Sequence, residues 1–449
     1  MAQKSYRKLF LSLSIAAALS CSWSGSVLAD GDEVAALEAR IAELENLVHQ
    51  LLKSQQAPAV TAEEVEAKAE EAAEAKVTAM LEEHEDTTAE KVHKHSYKFG
   101  GYVKTDVIAS KYSGGSYAGA GRDFYIAGTV PVGDGPGESY LDFHGKESRI
   151  NFKTTHLLDS GAKLGTFIEM DFLLSSAGDE RISNSYNPRL RHAFLTYNNW
   201  LFGQTWMTFF NVGALPENLD FVGPAESTIF GRQVMIRYTN GPWQFALENP
   251  ESTITPMGGG RVVSDDNEIP DGVLRYNMKG DWGSFTAAGL IRQLACDNCI
   301  TGVDDTATGY GVSLSGKFVF GNNDDFRWMA SSGKGMGRYM GLNTANGAVV
   351  DENGNLEAID SWGAFGSYRH LWSDTWRSNV TLGYLKVDND TDLTGMGVTK
   401  KASSFHINLI YSPQPKLMFG GEFMYADREV ESGADGDLRR FQFSAKYAF

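Results

Sequence analysis

The chain ends in the stretch DLRRFQFSAKYAF, residues 437–449. Alternate side chains of a β-strand point to opposite faces, so this stretch has an apolar face that runs from Phe441 to Phe449 and a polar face that includes Arg440 and Lys446. In a soluble sheet the apolar face would cover a core and the polar face would meet water. An aromatic stripe that continues to the last residue favours a closed barrel with lipid outside and water inside.

The same alternation recurs from residue 97 onward, and the connections between the alternating stretches are of two kinds. Some are short, such as Asn198-Asn199, and between them lie long ones that are rich in Gly, Asp and Asn, such as residues 110–145 and 294–305. Short periplasmic turns that alternate with long outer loops are typical of transmembrane barrels. The sequence therefore predicts an all-β transmembrane barrel of about 16 antiparallel strands over residues 97–449.

Residues 1–29 have the features of a secretory signal peptide. A basic start with Lys4, Arg7 and Lys8 precedes an apolar run that is too short to span a bilayer, and small residues before Asp30 offer a cleavage site. We therefore exclude this segment from the fold and expect an exported protein.

A periplasmic α-helical coiled coil is predicted over residues 30–56. Apolar residues at alternating spacings of three and four form its a/d seam, and Arg40 and Glu45 can pair between neighbouring helices. The seam residues are Val34, Leu37, Ile41, Leu44, Val48 and Leu51. The β-branched and Leu positions favour a dimer, but the pattern around Ile41 is similar to one that specifies trimers, and we predict a trimeric coiled coil. The alternative is a single amphipathic helix that lies on its own domain. An acidic spacer, helical or disordered, is predicted over residues 57–96.

Composition limits the partners and the chemistry. The formal net charge is −17, which argues against a nucleic-acid partner. No segment after the signal peptide holds the ~20 apolar residues of a membrane helix. The two cysteines outside the signal peptide are Cys296 and Cys299. In an oxidising compartment their spacing favours a small loop disulfide over a zinc or redox site. The Asp/Asn clusters lack calcium-loop spacing, and we predict no metal and no cofactor.

Charged residues on the inward parity of the predicted strands indicate a path for anions. The pore-lining candidates are Arg149, Lys153, Glu169, Asp171, Arg189, Arg191, Arg237 and Arg275. Arg or Lys on the lipid face costs ~2–4 kcal/mol near the midplane, which favours the lumen, and a guanidinium can hold a carboxylate with two hydrogen bonds. The alternative is that these charges only pair with one another and stiffen the wall. In residues 189–197 the parity of the arginines also contains Leu195, so alternation alone does not settle that strand.

Residues 207–228, MTFFNVGALPENLDFVGPAEST, are more apolar than a free outer loop should be. An exposed patch of this kind needs cover, and folding inward against the wall would supply it. Glu217, Asp220 and Glu226 would then place negative charge beside the arginines. We therefore predict a constriction with a transverse electric field.

The sequence shows no catalytic constellation. Its histidines are scattered, and the many Ser and Asp residues of the loops form no readable triad. We predict that the protein is not an enzyme. The alternatives are a barrel enzyme with catalytic residues at a loop rim and a structural barrel that anchors a periplasmic coiled coil.

Four stretches carry a resemblance to a known family. RLRHAFLTYNNWLFGQ at residues 189–204, LPENLDF at 215–221, INLIYSP at 407–413 and the closing AKYAF are similar to the DcaP-like trimeric porins of Gram-negative outer membranes. The resemblance implies a homotrimer in the outer membrane with its coiled coil in the periplasm, and diffusion of small anionic solutes such as dicarboxylic acids. It implies contact with lipid and lipopolysaccharide, and with the barrel-assembly machinery during insertion.

We predict that the seam over residues 30–56 governs assembly. Replacing Ile41 and Leu44 by Asp places charges in the seam, so the trimer should lose resistance to heat, as measured by cross-linking and gel migration. An unchanged trimer with unchanged heat resistance would show that the segment has another role. A trimer that persists with reduced heat resistance would show that the barrels carry most of the contact.

Overall fold

The computed structural model describes residues 95–117, 119–174, 178, 180–321 and 323–449. These residues form a closed antiparallel barrel of 16 strands, which confirms the barrel predicted from the alternation. The predicted signal peptide and coiled coil, and nearly all of the spacer, lie outside the described residues.

The strands are numbered in chain order. They are β1 (His95–Tyr112), β2 (Glu138–His144), β3 (Arg149–Leu157), β4 (Lys163–Asp171), β5 (Arg189–Tyr197), β6 (Trp200–Trp206), β7 (Arg232–Asn240), β8 (Trp243–Glu248), β9 (Ser252–Thr255), β10 (Val262–Ser264), β11 (Asp271–Gly280), β12 (Gly283–Asp297), β13 (Asp304–Phe320), β14 (Asp324–Lys334), β15 (Ala348–Val350), β16 (Leu356–Ala358), β17 (Asp360–Leu371), β18 (Trp376–Asp388), β19 (Thr399–Gln414), β20 (Leu417–Val430) and β21 (Asp435–Ala448). A short helix α1 (Thr391–Thr394) follows β18, and six 3-10 turns lie in the loops at Ala120–Arg122, Ala127–Thr129, Val212–Ala214, Ala225–Ser227, Gly337–Tyr339 and Gly341–Asn343. Among the described residues, no helix is long and apolar enough to cross a membrane.

The barrel closes between its first and last strands. β1 pairs with β21 from Tyr102 opposite Ala448 to Tyr112 opposite Leu438. The other edge of β1 pairs with β3 along one half and with β2 along the other, so β2 and β3 are two halves of one wall strand. The sheet therefore has 17 strand segments and the barrel 16 strands. Closure leaves no strand edge in hydrocarbon, where each unpaired backbone group would be costly.

Side-chain burial in the wall is the reverse of that in a soluble protein. On β21, Phe441 and Phe443 expose 54% and 43% of their surface, whereas Arg440 and Gln442 expose 1% and 2%. Large apolar side chains on the outside and polar ones inside are stable only when the surrounding solvent is apolar. The wall thus has the surface of a barrel that spans a membrane.

Aromatic pairs lie close to the short turns. The ring centroids of Trp200 and Tyr238 are 4.8 Å apart, and those of Trp376 and Tyr411 are 4.5 Å apart. Aromatic residues concentrate at membrane–water interfaces because their rings are apolar and their N–H or O–H groups are polar. The short turns therefore lie at one interface and the long loops at the other.

The long loops contain structure of their own. β9, β10, β15 and β16 form a separate four-stranded sheet in the order β10-β9-β15-β16. The predicted loop over residues 294–305 is too long, because β12 continues to Asp297 and β13 begins at Asp304. Backbone pairing of Cys296 with Asp305 extends the hairpin beyond the point where sequence alternation fades.

We predict that Phe449 contributes to insertion and closure of the barrel. Its N–H donates to the carbonyl of Gly101 at 3.1 Å, and its ring stacks on Phe99 with centroids 5.9 Å apart. Deleting Phe449 removes a contact worth ~1 kcal/mol and ends the aromatic stripe, so the level of folded barrel in outer-membrane fractions should fall. Phe449→Tyr is the control that keeps the ring. A normal level of the deletion variant would contradict the prediction.

Candidate functional site

Residues 207–228, the inward segment, leave the end of β6 and contact inward-facing side chains of distant strands. The carbonyl of Leu219 accepts hydrogen bonds from Lys104 of β1 and from Gln442 of β21, both at 2.9 Å. The amide of Asn211 donates to Ser315 of β13 at 3.0 Å. Since these wall residues lie on several sides of the barrel, the segment lies inside it.

Glu422 of β20 holds the middle of the inward segment. Its carboxylate accepts hydrogen bonds from the N–H of Leu219 at 2.7 Å and from the amide of Asn218 at 3.1 Å. The amide of Asn408 donates to the same oxygen at 3.0 Å, and His406 lies 3.2 Å from the other. Glu422 is only 2% exposed, so these partners replace the water that an ionised carboxylate requires.

Two of the predicted pore-lining arginines hold the start of the inward segment. Arg237 donates to the carbonyl of Trp206 at 2.6 Å and to the hydroxyl of Thr208 at 2.8 Å. Arg275 donates to the carbonyl of Phe210 at 2.6 Å. Neither arginine forms an ion pair with another described residue, so each retains its full positive charge beside the segment.

The three predicted acidic residues of the inward segment have different surroundings. Glu217 receives two hydrogen bonds from Arg377, at 2.5 and 2.8 Å. Asp220 accepts from the N–H of Tyr125 at 2.8 Å, in the long loop between β1 and β2. Glu226 is fully buried and accepts from Ser404 of β19 at 2.8 Å. Each carboxylate thus fixes a different part of the segment.

These surroundings shift the pKa of two of the carboxyl groups in opposite directions. Burial opposes ionisation of Glu217, but the hydrogen bond and charge of Arg377 outweigh it and hold the pKa below its ordinary value. Burial raises the pKa of Glu226 to about 7, with partial compensation by the Ser404 hydrogen bond. Glu217 therefore stays ionised to lower pH than an ordinary glutamate, whereas Glu226 gains a proton near neutral pH.

Five of the eight pore-lining candidates meet in one cluster on β3, β4 and β5, the first arginine cluster. Arg189 binds Asp171 with two hydrogen bonds of 2.8 Å. Arg191 bridges Glu169 and Asp171, at 2.7 Å to each. Arg149 lies 3.4 Å from Glu169. Arg191 also lies 5.5 Å from the ring centre of Phe221, which places the cluster against the inward segment.

A β-bulge directs the β5 arginines to the lumen. In the pairing of β4 with β5 the register shifts at Arg191, which is left as the extra residue. A bulge moves the alternation by one position, so residues before and after it no longer share one parity. Arg189 and Arg191 point inward before the shift, while Leu195, 42% exposed, points outward after it.

Arg232 of β7 belongs beside this cluster and was missed by the sequence analysis. Its guanidinium lies 4.4 Å from the ring centre of Trp206 and 5.8 Å from that of Phe230. Its Nη1 is buried without a hydrogen-bond partner, and it forms no ion pair with the residues that the structure describes. Arg232 is the first residue of β7 and follows a long loop, so the alternation of the sequence does not show that the strand begins there.

A second arginine cluster lies on β14, β17 and β18 and was also missed. Arg327 and Arg369 both bind Asp325, at 2.9 and 2.7 Å. Arg369 also lies 3.8 Å from Glu217, the carboxylate that Arg377 binds. The signal was present in the alternation of β14, where Phe326 points outward and Asp325 is buried.

Tyr102 of β1 links the first cluster to a further cation. Its ring lies 4.7 Å from the guanidinium of Arg149 and 4.6 Å from the ammonium of Lys446 on β21. Lys446 has no carboxylate within ion-pair distance among the described residues. The candidate Lys153 shares the face of Arg149 but is exposed and lies apart from the cluster, opposite Lys98 on β1.

The sulfur atoms of Cys296 and Cys299 are bonded to each other, with their Cα atoms 5.2 Å apart. Cys296 is the penultimate residue of β12, and Cys299 lies in the turn that follows the strand. Asp266 lies close enough to form a three-residue group with them, but bonded sulfur atoms are not thiolate ligands. The disulfide therefore cross-links the end of β12 to the turn that connects it to β13.

The inside-out wall, its closure and the segment folded into it define an outer-membrane barrel of the porin class. The chain belongs to the DcaP outer membrane protein family, whose family model matches residues 25–449. This membership places the barrel in the Gram-negative outer membrane.

A solved structure shows the same fold. The crystal structure of the outer membrane channel DcaP of Acinetobacter baumannii is 24% identical, covers 79% of this chain and 97% of that chain, and has a TM-score of 0.67. A loop L8 deletion mutant of OmpT, an outer membrane protein of Vibrio cholerae, is 12% identical, covers 79% of this chain and 99% of that chain, and has a TM-score of 0.49. No match was found among the curated proteins.

We expect Glu422→Leu to release the middle of the inward segment. The change leaves the N–H of Leu219 and the amide of Asn218 without their acceptor, at a cost of ~1–3 kcal/mol for each buried group. Single-channel recordings should show a noisier current than wild type, with additional conductance levels. The control is Glu429→Leu, which removes a rim carboxylate paired with Lys401. A current as quiet as wild type would show that other contacts suffice.

Proposed function

We propose that this protein is a passive diffusion channel for small anionic solutes, with dicarboxylic acids as the preferred class. The observation that carries the proposal is the excess of guanidinium over carboxylate groups on the inner wall. An ion pair that neutralises itself only stiffens the wall, whereas an unneutralised cation attracts a passing anion.

The excess is present in both arginine clusters. In the first, Arg149, Arg189 and Arg191 bind two carboxylates, Glu169 and Asp171. Arg232, which lies beside this cluster against Trp206, adds a fourth guanidinium. In the second, Arg327, Arg369 and Arg377 face Asp325 and Glu217. Both clusters therefore keep positive charge after pairing.

A cavity near the short turns adds further positive charge. It has a volume of about 660 Å³ and is bounded by the first residues of the inward segment. Arg237, Arg275 and Lys279 line it, and no Asp or Glu is among the described residues that do so. We infer that this is the periplasmic exit of the anion path.

The chemistry of arginine favours carboxylates over other anions. The guanidinium is planar and can hold a carboxylate with two parallel hydrogen bonds, which an ammonium group cannot do. Two clusters on different parts of the wall suit a solute with two carboxylates. The net charge of −17 does not oppose this, since a solute in the lumen responds to the nearby charges.

We propose a homotrimer as the working assembly, with residues 30–56 as a periplasmic coiled coil that joins the three chains. The outward aromatic face of the wall would contact lipid and, near the long loops, lipopolysaccharide. The C-terminal aromatic stripe would be recognised by the barrel-assembly machinery. These partners follow from the apolar outer surface and from the seam pattern.

We predict that Arg232→Gln combined with Lys446→Gln reduces anion selectivity. Neither cation forms an ion pair with a described residue, so the change removes positive charge without leaving a carboxylate unpaired. A unit charge ~4 Å from a solute in water contributes ~1 kcal/mol, so the anion-to-cation permeability ratio should fall about fivefold. The measurement is the reversal potential across a salt gradient, and the difference should shrink at high salt because the Debye length falls to ~3 Å at 1 M.

The matched control is Lys334→Gln combined with Lys386→Gln. These lysines are about half exposed at the outer rim and pair with Asp360 and Asp388, so the same loss of charge occurs outside the lumen. An unchanged reversal potential in the Arg232 and Lys446 variant would mean that the lumen cations only stiffen the wall. A wild-type barrel without conductance would favour the anchor or enzyme alternatives.

A further inference from the structure

A second cavity lies at the opposite end of the barrel from the short turns. It has a volume of about 400 Å³ and is formed where several long loops meet the ends of β19 and β20. Thr129, Thr255, Asn346 and Asn389 contribute polar groups to its lining. None of these residues belongs to the arginine clusters or to the inward segment.

Two arginines line this cavity with part of their hydrogen-bonding capacity unused. Arg428 of β20 donates through Nε to Thr399 at 2.9 Å and through Nη1 to the carbonyl of Val130 at 3.0 Å. Arg261 donates through Nε to Asn346 at 2.6 Å and through Nη2 to the carbonyl of Asn343. These neutral acceptors fix both guanidiniums, while Nη2 of Arg428 and Nη1 of Arg261 have no hydrogen-bond partner among the described residues.

The lining of the cavity contains no Asp or Glu among the described residues. Glu431 contacts one lining residue from behind, and the amide of Asn389 binds its carboxylate at 2.8 Å. Arg261 and Arg428 therefore have no counterion among the described residues, although the net charge of the chain is −17. Charge without a partner in a concave site costs free energy unless a ligand or water supplies the missing contacts.

A neighbouring cavity among the long loops shows the contrast. It has a volume of about 360 Å³ and is lined by Arg122 and Lys146 together with Asp123 and Asp142. Arg122 pairs with Asp142 at 2.5 Å, and Lys146 pairs with Asp123 at 2.9 Å. Glu180 also lines this cavity and lies 3.6 Å from Lys146. The two cations of this cavity are therefore neutralised by its own carboxylates, and neither is left to attract an anionic solute.

We propose that the cavity of Arg261 and Arg428 is an outer binding site for a small organic dianion, a dicarboxylate, which it holds before the solute enters the lumen. One carboxylate would take the remaining N–H groups of Arg428 and the other those of Arg261, with the threonine hydroxyls and the Asn346 amide beside them. The solute class rests on the proposed function, but the site stands on its own contacts. The channel would then have a binding site at its outer mouth that is separate from the two arginine clusters in the lumen.

The test uses the full-length protein in planar bilayers that contain no lipopolysaccharide, with succinate as the probe and acetate as the monoanion. Succinate added on the loop side should reduce the chloride current at a lower concentration than succinate added on the turn side, and at a lower concentration than acetate. Arg261→Gln should raise the half-blocking concentration of succinate from the loop side about tenfold, since a charge-assisted hydrogen bond is lost. Arg428→Lys keeps the positive charge but loses the paired N–H groups of the guanidinium, so it should also raise the half-blocking concentration of succinate.

The matched control is Arg122→Gln in the self-neutralised cavity, which should leave the half-blocking concentration unchanged. Equal blocking of wild type and Arg261→Gln, or equal blocking by acetate and succinate, would overturn the proposal. Arg261 lies in an exposed loop, so we expect its replacement to leave the barrel folded. A chloride conductance equal to that of wild type checks this. The reversal potential of the wild type tests the proposed function separately, because an anion-selective channel without side-specific blocking would refute only the outer site.

Discussion

A chain that crosses hydrocarbon must satisfy its backbone hydrogen bonds within itself. In this protein the requirement is met by the pairing of β1 with β21, which closes the barrel over eleven residue pairs from Tyr102 to Tyr112. Closure fixes two faces for every strand. The outer face is apolar because lipid surrounds it, and every charged side chain that lies at membrane depth must turn inward.

Turning the charges inward concentrates them in a small volume, and their pairing then shapes the lumen. The first arginine cluster joins three strands through Glu169 and Asp171, and the second joins three others through Asp325 and Glu217. Glu217 belongs to the inward segment, so the second cluster also holds that segment to the wall. The same ion pairs therefore hold the segment inside the barrel and leave a surplus of positive charge beside it.

Membership of the DcaP family agrees with a channel, and the surplus charge supplies the reason for an anionic solute in the proposed function. Arg237 and Arg275 illustrate how one residue can both hold the inward segment and leave positive charge in the lumen. Arg275 donates to a backbone carbonyl of the inward segment and Arg237 to the hydroxyl of Thr208 in it, and each still carries a charge that no described carboxylate neutralises. Arg261 and Arg428, at the loop end of the barrel, are likewise held by neutral acceptors and keep their charge.

The sequence by itself determined the barrel and its strand number, because alternation and turn length are local properties. It could not determine which arginines meet, since Arg191 and Arg377 are brought to one inward segment only by the closed ring. The bulge at Arg191 shows the limit most clearly. A single extra residue changes the parity of everything after it, and only pairing with the neighbouring strand decides where that residue lies.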